Sequence, residues 1–215
     1  MSCCTPTDSS GTGRCFTRFS KRYAKQFRKK GPEKIQQYIL EGIREAGISH
    51  KHILDIGCGV GTIHLTLLNE GAASATGVDR SAGMLEQART FAGERGLAGR
   101  TSYHLGDFVD LGPDLPAADI TVLDKVVCCY EHLDDLVARS TEKTKELYTL
   151  THPRNNALVK FFFQTQIFFL KLFRADFHPF WHDWGQMRSN IRSRGFRPVY
   201  ERATFLWDVA VFQRT

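Results

Sequence analysis

Apolar positions along the chain change their period twice, and the changes divide it. Phe16, Phe19, Tyr23 and Phe27 recur at spacings of three, four and four, one face of a helix whose other positions hold Arg18, Lys21, Arg22, Lys25, Arg28 and Lys29. Gly31-Pro32 ends that pattern, and a second helix is expected over 33–46, with Ile35, Ile39, Leu40 and Ile43 on its inner side. From His52 onward, short apolar runs alternate with helical patterns. Strands are expected at 53–56, 75–78, 101–104, 120–123 and 147–150, with helices at 63–69, 84–95 and 133–145 between them. Past Pro153 the pattern predicts a helix over 156–173, a loop through Pro179, a helix over 184–193, and closing strands near 197–201 and 207–213.

Strand–helix alternation of this kind predicts an α/β architecture, a mostly parallel sheet covered by helices on both faces. The 215 residues suit a single domain over 48–215, with a helical cap or arm at 14–47 and a small, polar, mobile end at 1–13. No apolar run approaches the roughly 20 residues of a membrane span. The N-terminus lacks the basic head and apolar centre of a secretion signal. Six scattered cysteines form no disulfide framework, so a reduced cytoplasm is the expected location. The net charge of +6 is uneven: eight Lys or Arg and no acid lie between Arg14 and Pro32, and the rest of the chain is slightly acidic.

The chemistry starts at Ile53-Leu54-Asp55-Ile56-Gly57-Cys58-Gly59-Val60-Gly61-Thr62, where a buried strand meets three alternate glycines and then a helix. Glycine permits positive φ and close approach of a ligand, and a helix start offers free N–H groups. The arrangement departs from the dinucleotide fingerprint, having Thr62 where that pattern wants glycine, and an acid, Asp55, two residues before the turn. Asp-x-Gly-x-Gly-x-Gly resembles motif I of the class I S-adenosylmethionine (SAM) methyltransferases. Gly77-Val78-Asp79 places a carboxylate 18 residues after Gly61, Gly106-Asp107-Phe108 follows the third strand, and 119–125 resembles motif IV. The resemblance implies a Rossmann-like fold with a seven-stranded, mostly parallel sheet whose last strand is antiparallel, under an N-terminal helical cap. It implies SAM contacts from Asp55, Gly57, Cys58, Gly59 and Gly61 around the methionine end, from Asp79 and Arg80 around the ribose, from Asp107 and Phe108 around adenine, and from Asp124 and Lys125 near the methyl group. Downstream, 125–130 and 150–154 are loosely similar to a bacterial small-molecule group related to magnesium-protoporphyrin O-methyltransferases; that likeness supports a small substrate without establishing porphyrin chemistry.

Methyl transfer needs a base only when the nucleophile must lose a proton. Candidates are Tyr130, Glu131 and His132 after the fourth strand, His152 after the fifth, and His178 in the loop around Pro179. Eight of the sixteen phenylalanines fall between Phe161 and Phe180, beside Trp181 and Trp184. A helix buried over most of its circumference is the expectation there; a wall of an apolar or aromatic substrate pocket and a homodimer contact are the alternatives.

The basic arm is expected to dock by its aromatic stripe, closing over SAM or drawing in an anionic acceptor. Nucleic-acid binding is disfavoured, because no RNA-binding module and no Asn-Pro-Pro-Tyr type motif accompany it; an RNA or protein methyltransferase remains an alternative. Cys3, Cys4 and Cys15, which Cys128 and Cys129 could join, could coordinate a soft metal or metalloid, so a metalloid or thiol methyltransferase and a SAM- or metal-binding regulator are further alternatives; no C-x-x-C is present, and no metal ligand is assigned. The expected activity is SAM-dependent methylation of a small molecule at oxygen, nitrogen or sulfur.

Overall fold

The computed structural model describes residues 11–173 and 179–215. Its elements run α1 (Gly11–Lys30), α2 (Lys34–Ala46), β1 (His52–Ile56), α3 (Thr62–Asn69), β2 (Ser74–Asp79), α4 (Ala82–Glu94), β3 (Thr101–Leu105), α5 (Phe108–Leu111), β4 (Ala118–Leu123), α6 (Leu133–Glu142), β5 (Thr144–Pro153), α7 (Ala157–Leu172), α8 (Trp184–Ser193), β6 (Phe196–Ala203) and β7 (Trp207–Arg214). The strands form one sheet in the order β3-β2-β1-β4-β5-β7-β6, with β1 to β5 parallel and β7 antiparallel to both its neighbours.

Alternation along each strand sends side chains to two separate cores. Ile53, Ile120, Val122, Val209 and Val211 join the core under α1 to α4, whereas Leu54, Ile56, Leu123, Ala210 and Phe212 join the one under α6 and α8. Order reverses at β1, which pairs with β2 on one side and β4 on the other. In open parallel sheets the crevice at such a switch point, beyond the carboxyl ends of the strands, is where ligands bind.

All seven expected strands are present. The helix expected to reach residue 145 stops at Glu142, because Thr144 already pairs with Ala118 and opens the long strand β5. The expected mobile end overlaps α1, which begins at Gly11; residues 1–10 lie outside the described residues. α1 docks on α4 through Gly13, Ser20, Ala24 and Phe27, with the Phe27 and Phe91 rings edge to face at 5.2 Å. The approach is close because Gly83 has no side chain: a Cβ there would lie 2.9 Å from Thr17 Cγ2.

α2 belongs to the core itself. Ile39, Leu40 and Ile43 are buried, and a Cβ on Gly42 would sit 2.6 Å from the Tyr200 ring and 2.7 Å from Val211. Gly42→Ala should therefore destabilise the protein by about 1 kcal/mol in urea denaturation, overpacking outweighing the helix propensity gained; a stabilised variant would mean that α2 is free to shift.

The expectation for α7 is overturned. Only Val159 and Phe163 are buried along it, and most of its large apolar side chains face solvent. The helix stands at the end of the crevice rather than beneath other elements.

Candidate active site

β1 delivers the chain into the turn, where Gly57, Gly59 and Gly61 take φ of 66°, 54° and 85°. The turn is closed onto β2 by Gly57 N and Cys58 N, both donating to Val78 O at 2.7 and 3.1 Å. A Cβ on Gly57 would lie 2.4 Å from Val126, whereas one on Gly59 would meet nothing within 4 Å. The first glycine is thus needed for packing, and the second presents bare backbone to the cavity.

Four acids surround the turn, each held differently. Asp55 is buried, and its Oδ2 accepts from His64 Nδ1 at 2.7 Å; His64 Nε2 lies 3.0 Å from the Tyr103 hydroxyl. Burial raises the Tyr103 pKa further, so its hydroxyl remains a donor. Asp79 accepts from Gly59 N at 2.8 Å and Ser81 N at 2.9 Å, yet burial still pushes its carboxyl up to about 6. Asp107 caps α5 by accepting from Val109 N at 2.9 Å and also receives the Tyr130 hydroxyl, with Arg80 3.5 Å away. Asp124 accepts from Gln36 Nε2 at 3.0 Å and from Thr151 Oγ1 at 3.1 Å, and burial raises its pKa.

These groups border a cavity of about 860 Å³ that runs from the glycine turn, past Asp79 and Asp124, to the inner sides of α1 and α7. Phe16, Phe19, Tyr23, Phe163, Leu170 and Trp207 supply its apolar far wall. Lys125 stands between the two ends, its ammonium 2.6 Å from Glu33. Burial alone would depress its pKa, but Asp124 and Glu33 more than offset this and hold it raised, so the lysine stays cationic. Its backbone is left-handed at φ 59° and is fixed by the Lys125 N–H donating to Thr151 Oγ1 at 2.7 Å, local strain of the kind found at functional sites.

The structure brings Asp55, Gly57, Cys58, Gly59, Asp79, Arg80, Phe108, Asp124, Lys125 and Tyr130 to this cavity. Gly61 sits behind it at the start of α3, and Asp107 reaches it only through Tyr130 and Arg80. The expected bases are not gathered there. Glu131 and His132 line a separate cavity of about 290 Å³ with His182 and Asp183. His152 lies within β5 rather than beyond it, is buried against Trp184 with the rings stacked at 5.3 Å, and bonds Pro153 O; burial lowers its pKa. Tyr130 commits its hydroxyl to Asp107. His178 lies outside the described residues, as do Cys3 and Cys4.

Cys15, Cys128 and Cys129 border the cavity. The hydrogen bond to Cys129, with burial, pushes the Cys128 thiol pKa up, away from a metal-ready thiolate. Among the described residues no three His, Cys, Asp or Glu side chains gather for a metal ion. Sequence reading missed Glu33, Gln36 and His64. Glu33 caps the start of α2 and Gln36 lies in its first turn, distant in the chain and bare of any motif; His64 carried a signal, as the lone ionisable residue of α3.

The donor set fits SAM. A bare backbone hairpin, a helix start, and a buried carboxylate at the end of β2, bonded to no cation among the described residues, suit an amino acid moiety and a ribose diol. A family profile described as "Methyltransferase domain" matches residues 53–153. Residues 53–153 thus form a SAM-dependent methyltransferase domain. SAM is the cofactor of that domain. Over 120 residues the chain is 29% identical to an uncharacterized protein of Haemophilus influenzae, covering 56% of this chain and 43% of that protein. Over 70 residues it is 33% identical to O-methyltransferase resE of Aspergillus sclerotiorum, covering 33% and 26%. The chain thus spans less than half the length of either relative. Among solved structures, the magnesium protoporphyrin IX methyltransferase of Synechocystis PCC 6803 with bound SAM superposes with a TM-score of 0.65 at 15% identity, over 93% of this chain and 84% of that one, a likeness of fold alone. No helix among the described residues is long and apolar enough to cross a membrane.

Proposed function

We propose that the protein transfers the methyl group of SAM to the oxygen of a small apolar or aromatic acid bound between the end of β4 and helices α1 and α7. The observation that carries this reading is the single cavity joining the glycine turn to an aromatic far wall, of a size that suits a small-molecule site. When bound, SAM supplies a sulfonium methyl open to in-line displacement. The Gly59 backbone and the α3 start take the methionine end, and Asp79 accepts from the ribose hydroxyls. Phe108 packs the adenine, whose amino group Asp107 meets from the edge of the site. Phe19 and Tyr23 on α1 wall the acceptor side and help exclude water from it.

The acceptor class is inferred from the groups around Lys125. Among the described residues no histidine lines the cavity, and both Asp124 oxygens are already taken. An acceptor already ionised at neutral pH, such as a carboxylate or an acidic phenol, needs no strong base, and the Lys125 ammonium would draw it in.

The test is incubation with methyl-labelled SAM and a panel of aromatic carboxylic acids, phenols, thiols and amines, with total RNA and total protein as separate arms. Label is expected in a base-labile methyl ester or an aryl ether. Label confined to RNA, to protein or to thiols refutes the reading, as does absence of turnover in every arm.

A further inference from the structure

The exposed side of α7 is the largest feature that methyl transfer leaves unexplained. Leu158, Phe161, Phe162, Phe168, Phe169 and Leu172 recur at helical spacing along it and are each 48% to 69% exposed. The opposite side reaches the cavity through Phe163, Gln166 and Leu170, so the helix is a wall between cavity and solvent. A continuous apolar stripe of this kind marks an interaction surface.

Charge identifies what the stripe meets. α7 holds Lys160 and Lys171 and no acid. On α1, which forms the other wall of the same cavity, Arg22, Lys25 and Lys29 fall at spacings of three and four, all exposed, on a helix with no acid. Aromatic rings beside a cationic, acid-free helix are the composition of a surface that lies in a membrane interface. At 16 residues with two lysines, α7 is too short and too charged to span one. A second copy seated with its own α7 against this one would bring further lysines and no acid to balance them, whereas anionic headgroups supply the missing charge.

We infer that the protein docks on an anionic bilayer surface, with the α7 stripe at the boundary of headgroups and acyl chains and the α1 cations against the headgroups. The cavity between the two helices then lies at the lipid. Docking is independent of which acceptor is methylated.

Flotation of the full chain with vesicles tests this. Binding is expected to mixed phosphatidylcholine–phosphatidylglycerol vesicles, weakening as salt is raised, with little binding to phosphatidylcholine alone. Phe161→Ser, Phe168→Ser and Phe169→Ser combined should abolish it. These rings do not line the cavity, so unchanged SAM affinity by calorimetry shows that the variant is folded. Arg22→Gln, Lys25→Gln and Lys29→Gln combined should lower partition by roughly a hundredfold. The inference is overturned by failure to float with the mixed vesicles, by flotation that the serine variant retains, or by a dimer in sedimentation equilibrium that the serine changes dissolve while vesicle binding is nil.

Discussion

Asp79→Ala should weaken SAM binding by about 1–3 kcal/mol, roughly five- to 150-fold in Kd, as read by calorimetry. One oxygen of this carboxylate accepts from Gly59 N and the other from Ser81 N, so the group ties the glycine turn to the cap of α4 before any ligand arrives. Burial is the main reason that its pKa stands at about 6 rather than 3.8, with the two backbone donors opposing it. The ionised form has lone pairs to spare for two hydroxyls; the protonated form would place a proton among donors. SAM affinity should therefore fall as pH drops through about 6 and level off above it. Stability of the ligand-free protein runs the other way. A carboxyl whose pKa is raised on folding favours the folded state below the unfolded pKa, and this contribution is lost as pH rises from about 4 to about 6, by roughly 3 kcal/mol. The alanine variant should flatten both profiles. Unchanged Kd with an unchanged pH profile would remove Asp79 from the ribose site.

What the sequence disclosed and what it withheld divide along physical lines. The sheet was legible because parallel strands buried on both faces leave short apolar runs, and β1, β2 and β4 end at or next to residues that line the cavity. The turn was legible because Gly57 and Gly59 answer a backbone requirement that few other residues meet. The acceptor side was not, because it is assembled across the chain: Gln36 reaches Asp124 over 88 positions, and Glu33 reaches Lys125 over 92. Histidines near the right strand ends were natural candidates, yet sequence cannot say which way a loop turns. His132 and His182 share a different cavity, and β5 runs far enough to carry His152 into the core. α7 misled for a related reason. An apolar helix reads as buried whether its cover is protein or something the chain does not contain.

His64→Leu should cost about 3–5 kcal/mol of stability in urea denaturation, the largest effect expected of any single change at the site. The imidazole is fully buried between Asp55 and Tyr103, with Nδ1 toward the carboxylate. Leucine keeps much of the volume, so packing changes little, but the Asp55 carboxylate, 2% exposed, loses its partner. Asp55 also borders the cavity, where the ammonium of SAM would face it. Saturating SAM should therefore restore more stability to the variant than it adds to the native protein. Charge and packing are separable by the double change Asp55→Leu with His64→Leu, which removes both members of the pair. If the cost is that of an orphaned carboxylate, the double variant should recover most of it, because apolar residues commonly replace a buried pair at little loss. A double variant as unstable as the single one would mean that His64 is held for shape, and that Asp55 does not depend on it.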